Sequence, residues 1–309
     1  MALTLIEASK LMRGDDLRAT IIEIFAAQTD ILKNIPFVDI QGNALRYNVE
    51  NTLPGVAFRG INEAYTESVG VINPQTEALT IAGGDLDVDK FLLKTMGQNQ
   101  RSAQESMKLK ALSHNWSNKV IKGDSSTTPR EFDGLQKRLT GAQVVSNSAA
   151  SGGAVLSLAN LDQLCDTVDS PTHLIMSKAT LRGLTAASRT STVGGYITYV
   201  QDEFGQKVSV YQGLPVLVAD RNADVYATLA ANEAYTGGGT ADGTSIYCVS
   251  FGDGMLAGIQ NGAPEVTDLG ELNTKAVLRT RIEWYAGLAM FHPRAAGRLR
   301  DIKAGAVVA

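Results

Sequence analysis

The sequence predicts an α+β fold. Three features carry that reading: helical spacing over 98–122, two-residue alternation at both ends of 41–90 and again after Thr274, and a middle third where short helix and strand patterns take turns. With 309 residues and 44% hydrophobic content, the chain can bury a large core and divide into two lobes. A net charge of -4 excludes a surface built wholly for nucleic acid. No apolar run reaches the roughly 18 residues of a membrane span. MALTLIEASKLMRGDD, at the N-terminus, lacks the blocks of an export signal. Cys165 and Cys248 are the only cysteines and lie far apart in sequence, so both read as reduced packing residues of a chain made in the cytosol.

The first forty residues carry a helical stripe of Leu17, Ile21, Ile24, Phe25, Ile31 and Leu32, which Asp15 or Asp16 can cap and Pro36 closes. In 41–90, Leu45, Tyr47 and Val49 alternate with polar residues, as do Leu86 and Val88. The stretch between is broken by Pro54, Gly55, Gly60, Gly70 and Pro74 and holds only scattered Phe58, Ile61, Tyr65 and Val71. This predicts a two-stranded excursion too lean to stand alone in water, which must rest on its own domain or on another subunit. Its basic residues are Arg46 and Arg59, against Glu50, Glu63, Glu67, Glu77, Asp85, Asp87 and Asp89, a poor phosphate binder. The aspartates are spaced as strand neighbours. Lys90 and Phe91 follow them where a calcium loop needs other residues.

The helix over 98–122 shows two apolar rows, Ala103, Met107 and Ala111 beside Leu109, Leu112, Trp116 and Val120, with Gly123 as its stop. It should run for about six or seven turns and brace its neighbours. A polar loop follows, then EFDGLQKRL from Glu131 to Leu139.

FDGLQKRL after a long helix, itself preceded by an acidic excursion containing TLPGVAFRGINEAYTES (Thr52 to Ser68), resembles the major capsid proteins of tailed bacteriophages with the Hong Kong 97-type fold. The likeness covers nearly the whole chain in element order. It implies an N-terminal arm at 1–40, an extended β-hairpin loop at 41–90, a peripheral domain at 91–140 and 274–309 with its spine helix at 98–122, and an axial domain at 141–273. Such subunits tile an icosahedral shell as hexamers and pentamers, the extended loop laid over an adjacent subunit. In the founding type a lysine on that loop bonds covalently to a neighbour's asparagine. This chain has no lysine between Lys33 and Lys90, so its shell should be held non-covalently. The resemblance implies further partners: a separate scaffolding protein, a portal, a decoration protein, and packaged double-stranded DNA touched non-specifically. Assembly belongs in the bacterial host cytoplasm and the final location is the virion. An encapsulin-like compartment shell and a soluble α/β enzyme of unlocated chemistry stand as alternatives.

SNSAASGG (Ser146 to Gly153) reads as a flexible connector and GGGTADG (Gly237 to Gly243) as a mobile loop. Between them, Asn160 and Ser177 can cap short helices, and strands fit His173 to Met176, Gln206 to Tyr211, Leu214 to Ala219 and Ser245 to Phe251. Gly252, Gly254 and Gly258 depart from a dinucleotide fingerprint, and no phosphate loop or hydrolase elbow is present. His114, His173 and His292 have no second ligand at metal spacing, and nothing beyond residue type supports a triad with Ser177. No residue reads as catalytic, cofactor-binding or metal-ligating.

From Thr274 to Pro293, Leu278, Thr280, Ile282 and Trp284 alternate with Arg279, Arg281, Glu283 and Tyr285: a long strand with one apolar and one charged face. Arg279 and Arg281 are candidates to meet Glu63, Glu67 or Glu77 of the next subunit's loop, and Arg59 completes the set of candidate inter-subunit residues. Such pairs would fix register more than stability, at roughly 0 to 1 kcal/mol each.

Overall fold

The computed structural model describes residues 3–5, 25, 29–96, 99–189, 197–201, 207–219 and 228–308. Of the helix expected from Leu17 to Leu32, the caps Asp15 and Asp16 and the stripe residues Leu17, Ile21 and Ile24 lie outside them. Its tail does not: Phe25 is helical and buried, and α1 (Asp30–Asn34) buries Ile31 and Leu32 under an N-cap supplied by Thr29, whose hydroxyl accepts from the Leu32 N–H.

The helix predicted over 98–122 is α3 (Asn99–Lys122), preceded by α2 (Lys90–Met96). It lies across a sheet in the order β1 (Leu3–Thr4), β2 (Pro36–Asp39), β13 (Leu256–Gln260), β15 (Val277–Met290), β14 (Glu265–Glu271), with β5 (Thr80–Asp89) also paired to β15. Only one of its predicted apolar rows is buried. Leu109, Leu112, Trp116 and Val120 face the sheet, while Ala103 and Met107 face solvent; in the helix's first turns the contacts to the sheet are polar, Arg101 and Glu105 meeting Thr280 and Arg101 also pairing with Asp268. On β15, Thr280, Ile282 and Trp284 are buried as the alternation predicts. Trp284 stacks on Phe25, Phe37 and Trp116 with ring centroids 5.0 to 5.4 Å apart, so the N-terminal segment, the long helix and β15 share one aromatic knot. Gly258 makes room for it: a Cβ there would strike the Phe37 ring, so this glycine serves packing, while Gly254 supplies a positive φ of 85° at a turn.

The second sheet runs β6 (Val144–Ser146), β16 (Ala296–Val308), β12 (Thr244–Val249), β8 (His173–Met176), β11 (Leu214–Val218), β10 (Lys207–Tyr211), β9 (Ile197–Gln201), with β7 (Ala154–Ser157) also on β16. Both faces of its centre are covered. Ile246, Cys248, Leu174 and Met176 face α5 (Leu158–Asp166) and α6 (Lys178–Ala187) in one core cluster, while Tyr247, Val249 and Ile175 point into the cluster that holds Trp116 and Trp284.

Three predicted boundaries shift. β5 belongs to the first sheet, so the hairpin proper is β3 (Ala44–Thr52) and β4 (Val71–Ala78) instead of all of 41–90. β13 and β14 lie inside the span expected to be axial, yet they pair with β15 in the first sheet. β16, expected with the peripheral return, sits at the heart of the second sheet. Period-two alternation marks a strand without saying which sheet it joins, so these crossings carry no local signal.

The two glycine-rich loops are pinned to each other. The Gly152 N–H donates to the Gly238 carbonyl, Asn147 holds Ala154, Val155 and Ser157, and the Asp301 carboxylate accepts from Ser146 and Thr236. Glu233 and Gly243 close the second loop as a two-way backbone bridge. Neither is the loose segment its composition suggests, because polar side chains outside the glycine runs anchor both ends.

FDGLQKRL, within which α4 (Leu135–Arg138) forms, acquires a physical role. Gly134 lies against the end of α3, its N–H donating to the Gly123 carbonyl, and a Cβ there would come within 2.6 Å of the Gly123 nitrogen and the Lys119 oxygen. Those neighbours are backbone and cannot move aside. Gly134→Ala is expected to cost about 3 kcal/mol by overpacking, read as a lower urea midpoint with an unchanged slope.

Candidate inter-subunit surface

The β3–β4 hairpin stands apart as its own two-stranded sheet. Its root is built in: Leu45, Tyr47 and Leu79 pack on Ile40, Ile259 and Ala289, and Tyr47 meets the Phe291 ring at 4.8 Å. Its far end is not. Leu53, Val56, Phe58, Ile61, Tyr65 and Val69 are exposed, with Val56, Phe58 and Ile61 more than 90% accessible. Exposed apolar side chains of this size gathered on one end of a hairpin mark a candidate contact surface.

The tip is nonetheless shaped. Arg59 donates to the Glu63 carbonyl at 3.1 Å and lies over the Tyr65 ring, the Glu63 carboxylate accepts from the Gly60 N–H at 2.8 Å, and Ser68 donates to the Gly55 carbonyl. Arg59 and Glu63 are thus brought together on one subunit, while Glu67 is exposed beside them.

Glu77 sits at the root, where Arg138, the last basic residue of FDGLQKRL, clamps its carboxylate with both terminal nitrogens. The same guanidinium donates to the Leu288 carbonyl at 3.1 Å and the Asp133 carbonyl at 2.6 Å, tying hairpin, motif and β15 together. The pair is largely buried, with 12% and 18% of the side chains accessible. Tyr47 donates into the cluster, and burial, with Glu77 adding to it, pushes its pKa up to about 12. Glu77, expected to reach another subunit, is therefore held by its own chain.

Arg279 and Arg281 are also met from within. The β5–β15 register sets Arg279 opposite Asp87 and Arg281 opposite Asp85, and each forms a bidentate pair at 2.6 to 3.0 Å. The acids expected on a neighbour's loop are replaced by acids on the adjacent strand, because antiparallel pairing sets like-facing residues directly opposite one another. The hydrogen bond from Arg281 lowers the Asp85 pKa below the usual 3.8, and Arg279 does the same for Asp87. A depressed carboxylate pKa gives stability that is fully present above the unfolded value and is lost as pH falls through the folded one. Thermal midpoints should hold from neutral pH to about 4 and decline below it. Asp85→Asn should flatten that acid-side decline.

Elsewhere the expected structural roles are occupied. The Ser177 hydroxyl accepts from the Thr180 N–H as the cap of α6, and the His173 ring packs on Phe251, its pKa pushed down to about 4 by burial. No described helix is long and apolar enough to cross a membrane.

A free arm with an apolar end, on a body whose charged face is internally paired, is what a shell subunit needs. Residues 13–212 match the family model described as Major capsid protein GP7. The chain belongs to that family. No curated protein matches it in sequence. The fold of this capsid protein is that of the holo-SrpI encapsulin complex from Synechococcus elongatus PCC 7942, at 15% identity and a TM-score of 0.66 over 90% of this chain and 89% of that one. It is likewise that of the capsid of the native GTA particle, at 13% identity and a TM-score of 0.65 over 89% and 90%. A chain from Mycobacterium phage Bobi aligns at 11% identity and a TM-score of 0.60 over 90% and 91%. The fold is the Hong Kong 97-type capsid fold, the role structural, and the protein a shell-forming capsid protein.

Sequence reasoning found Phe58, Ile61 and Tyr65 but passed over Val56, Val69 and, most of all, Arg138. A basic residue ending a helix-like run looks solvated unless its acidic partner, distant in sequence, is known.

Proposed function

We propose that this chain builds the hexamers and pentamers of an icosahedral head that encloses double-stranded DNA, each hairpin lying on an adjacent copy and held there without covalent bonds. The exposed apolar tip supports this reading: burying Val56, Phe58 and Ile61 together is worth on the order of 5 kcal/mol per subunit, ample for a contact repeated many times over a shell. In this reading β3–β4 is the extended loop, the first sheet with α3 the peripheral domain, and the second sheet the axial domain. Arg59, Glu63 and Glu67 remain the polar candidates at the seam. Arg279, Arg281 and Glu77 shape the subunit that presents it. Scaffolding, portal and decoration proteins are the further partners, and the host cytoplasm is the site of assembly.

Similarity to the encapsulin favours a second reading, a compartment shell enclosing protein cargo. Particles purified from cells producing the whole head distinguish the two: nuclease-protected DNA inside supports the head, and particles filled with one co-purifying protein and no DNA support the compartment.

A further inference from the structure

A cavity of about 540 Å3 opens between the start of α6, the last residues of β16 and the 229–231 segment. Small-molecule sites run from roughly 300 to 1,000 Å3, so its size is that of a ligand pocket. The floor is buried and apolar, made by Leu156, Leu229 and Ile302. Ala179 and Gly183 lie four residues apart on one face of α6, and a Cβ on Gly183 would stand 3.7 Å from both the Gly305 carbonyl and a Val307 methyl, so that face looks across the cavity at the end of β16. Three cations also line it: Lys178 and Arg182 from α6 and Lys303 from β16, all exposed. Among the described residues no carboxylate lines the cavity, and none pairs with any of the three.

We propose that this cavity binds a small amphiphilic anion of the fatty-acid type, one aliphatic chain ending in a carboxylate. The charges ask for an anion. Arg138, Arg279, Arg281 and Arg298 each rest on an acid, whereas Lys178 and Arg182 are like charges at i and i+4, an arrangement that works against a helix unless an anion lies between them, and Lys303 adds a third positive charge. The lining asks for an alkyl chain. Its apolar members are Ala, Leu, Ile and Val, and no aromatic ring stands among the described ones, so a nucleobase would find nothing to stack on. The chain would lie on Leu156, Leu229 and Ile302 while the head reaches Arg182, whose planar fork takes both oxygens of a carboxylate. The end of α6 is not itself the binding element, because the Thr180 N–H already donates to the Ser177 hydroxyl at 3.1 Å. Such a ligand would tie α6 to the end of β16 whether or not the subunit sits in a shell.

Octanoate is the probe. Titrated into the full-length chain in a calorimeter, it is expected to bind saturably with a midpoint at or below about 1 mM, and to slow amide exchange in α6, 229–231 and the end of β16. Acetate, a head without a chain, and octanol, a chain without a charged head, should each bind at least about tenfold more weakly. Lys178→Gln, Arg182→Gln and Lys303→Gln combined alter only exposed side chains, so the variant stays folded and should lose at least about tenfold in octanoate affinity. Ala179→Leu keeps all three charges and fills the space in front of the helix, and should weaken octanoate by a similar factor. Acetate binding as tightly as octanoate would mean an adventitious ion only, and octanol binding as tightly would mean an apolar surface without a role for the cations; either overturns the proposal. So do the absence of saturable binding, an unchanged octanoate affinity in either variant, or slowed exchange at the β3–β4 hairpin in place of α6.

Discussion

Replacing Val56, Phe58 and Ile61 together by serine leaves the isolated subunit folded and stops it assembling. All three are almost fully exposed in the subunit, so their loss should change its unfolding free energy by no more than about 0.5 kcal/mol. In a shell, the same side chains supply the apolar area that holds each arm down. Removing them raises the critical concentration for assembly by at least about a hundredfold, taking a conservative 2.7 kcal/mol or so lost per contact. Sedimentation velocity checks both halves: wild type as particles, the triple variant as folded subunits. A variant that unfolds instead would mean the tip is covered by its own chain.

The second large effect is expected at Arg138. Alanine there leaves the Glu77 carboxylate in a largely desolvated pocket beside Tyr47, without the fork that neutralised it, and the Leu288 and Asp133 carbonyls lose a donor. Removing one partner of such a pair costs about 3 kcal/mol, read from urea unfolding. Lysine should recover little, since one ammonium cannot reproduce a bidentate contact while also serving two carbonyls. The same change frees the hairpin root, so amide exchange in β3 and β4 should quicken more than exchange in β12. Uniform quickening would show that Arg138 supports the body generally and does not aim the arm.

What was legible in the sequence follows from how far each signal travels. The α3 periodicity needs only neighbours three and four residues away, and its Leu109 to Val120 row lies buried as read. The charged and apolar faces of β15 were equally plain, because alternation is local. What Arg279 and Arg281 would touch was not, since their partners Asp87 and Asp85 lie 192 and 196 residues away in sequence. The excursion was recognised as too lean to stand alone, but its second strand was misplaced: 71–78 shows no clean alternation, while 85–89 does and belongs to another sheet. Glycine misled twice in one direction. GGGTADG suggests looseness, yet Asp301 and the 147–152 segment hold it, and nothing within the run says so.

In the proposed shell, residues 53–72 find on another copy the cover they lack on their own. An electron-microscopy reconstruction of the assembled particle tests it most directly. Closed shells are expected in which Val56, Phe58 and Ile61 lie against an adjacent subunit, with the Arg138 and Glu77 clamp intact at the root. A hairpin folded back onto its own molecule, or a protein that stays a single subunit at every concentration, would contradict it.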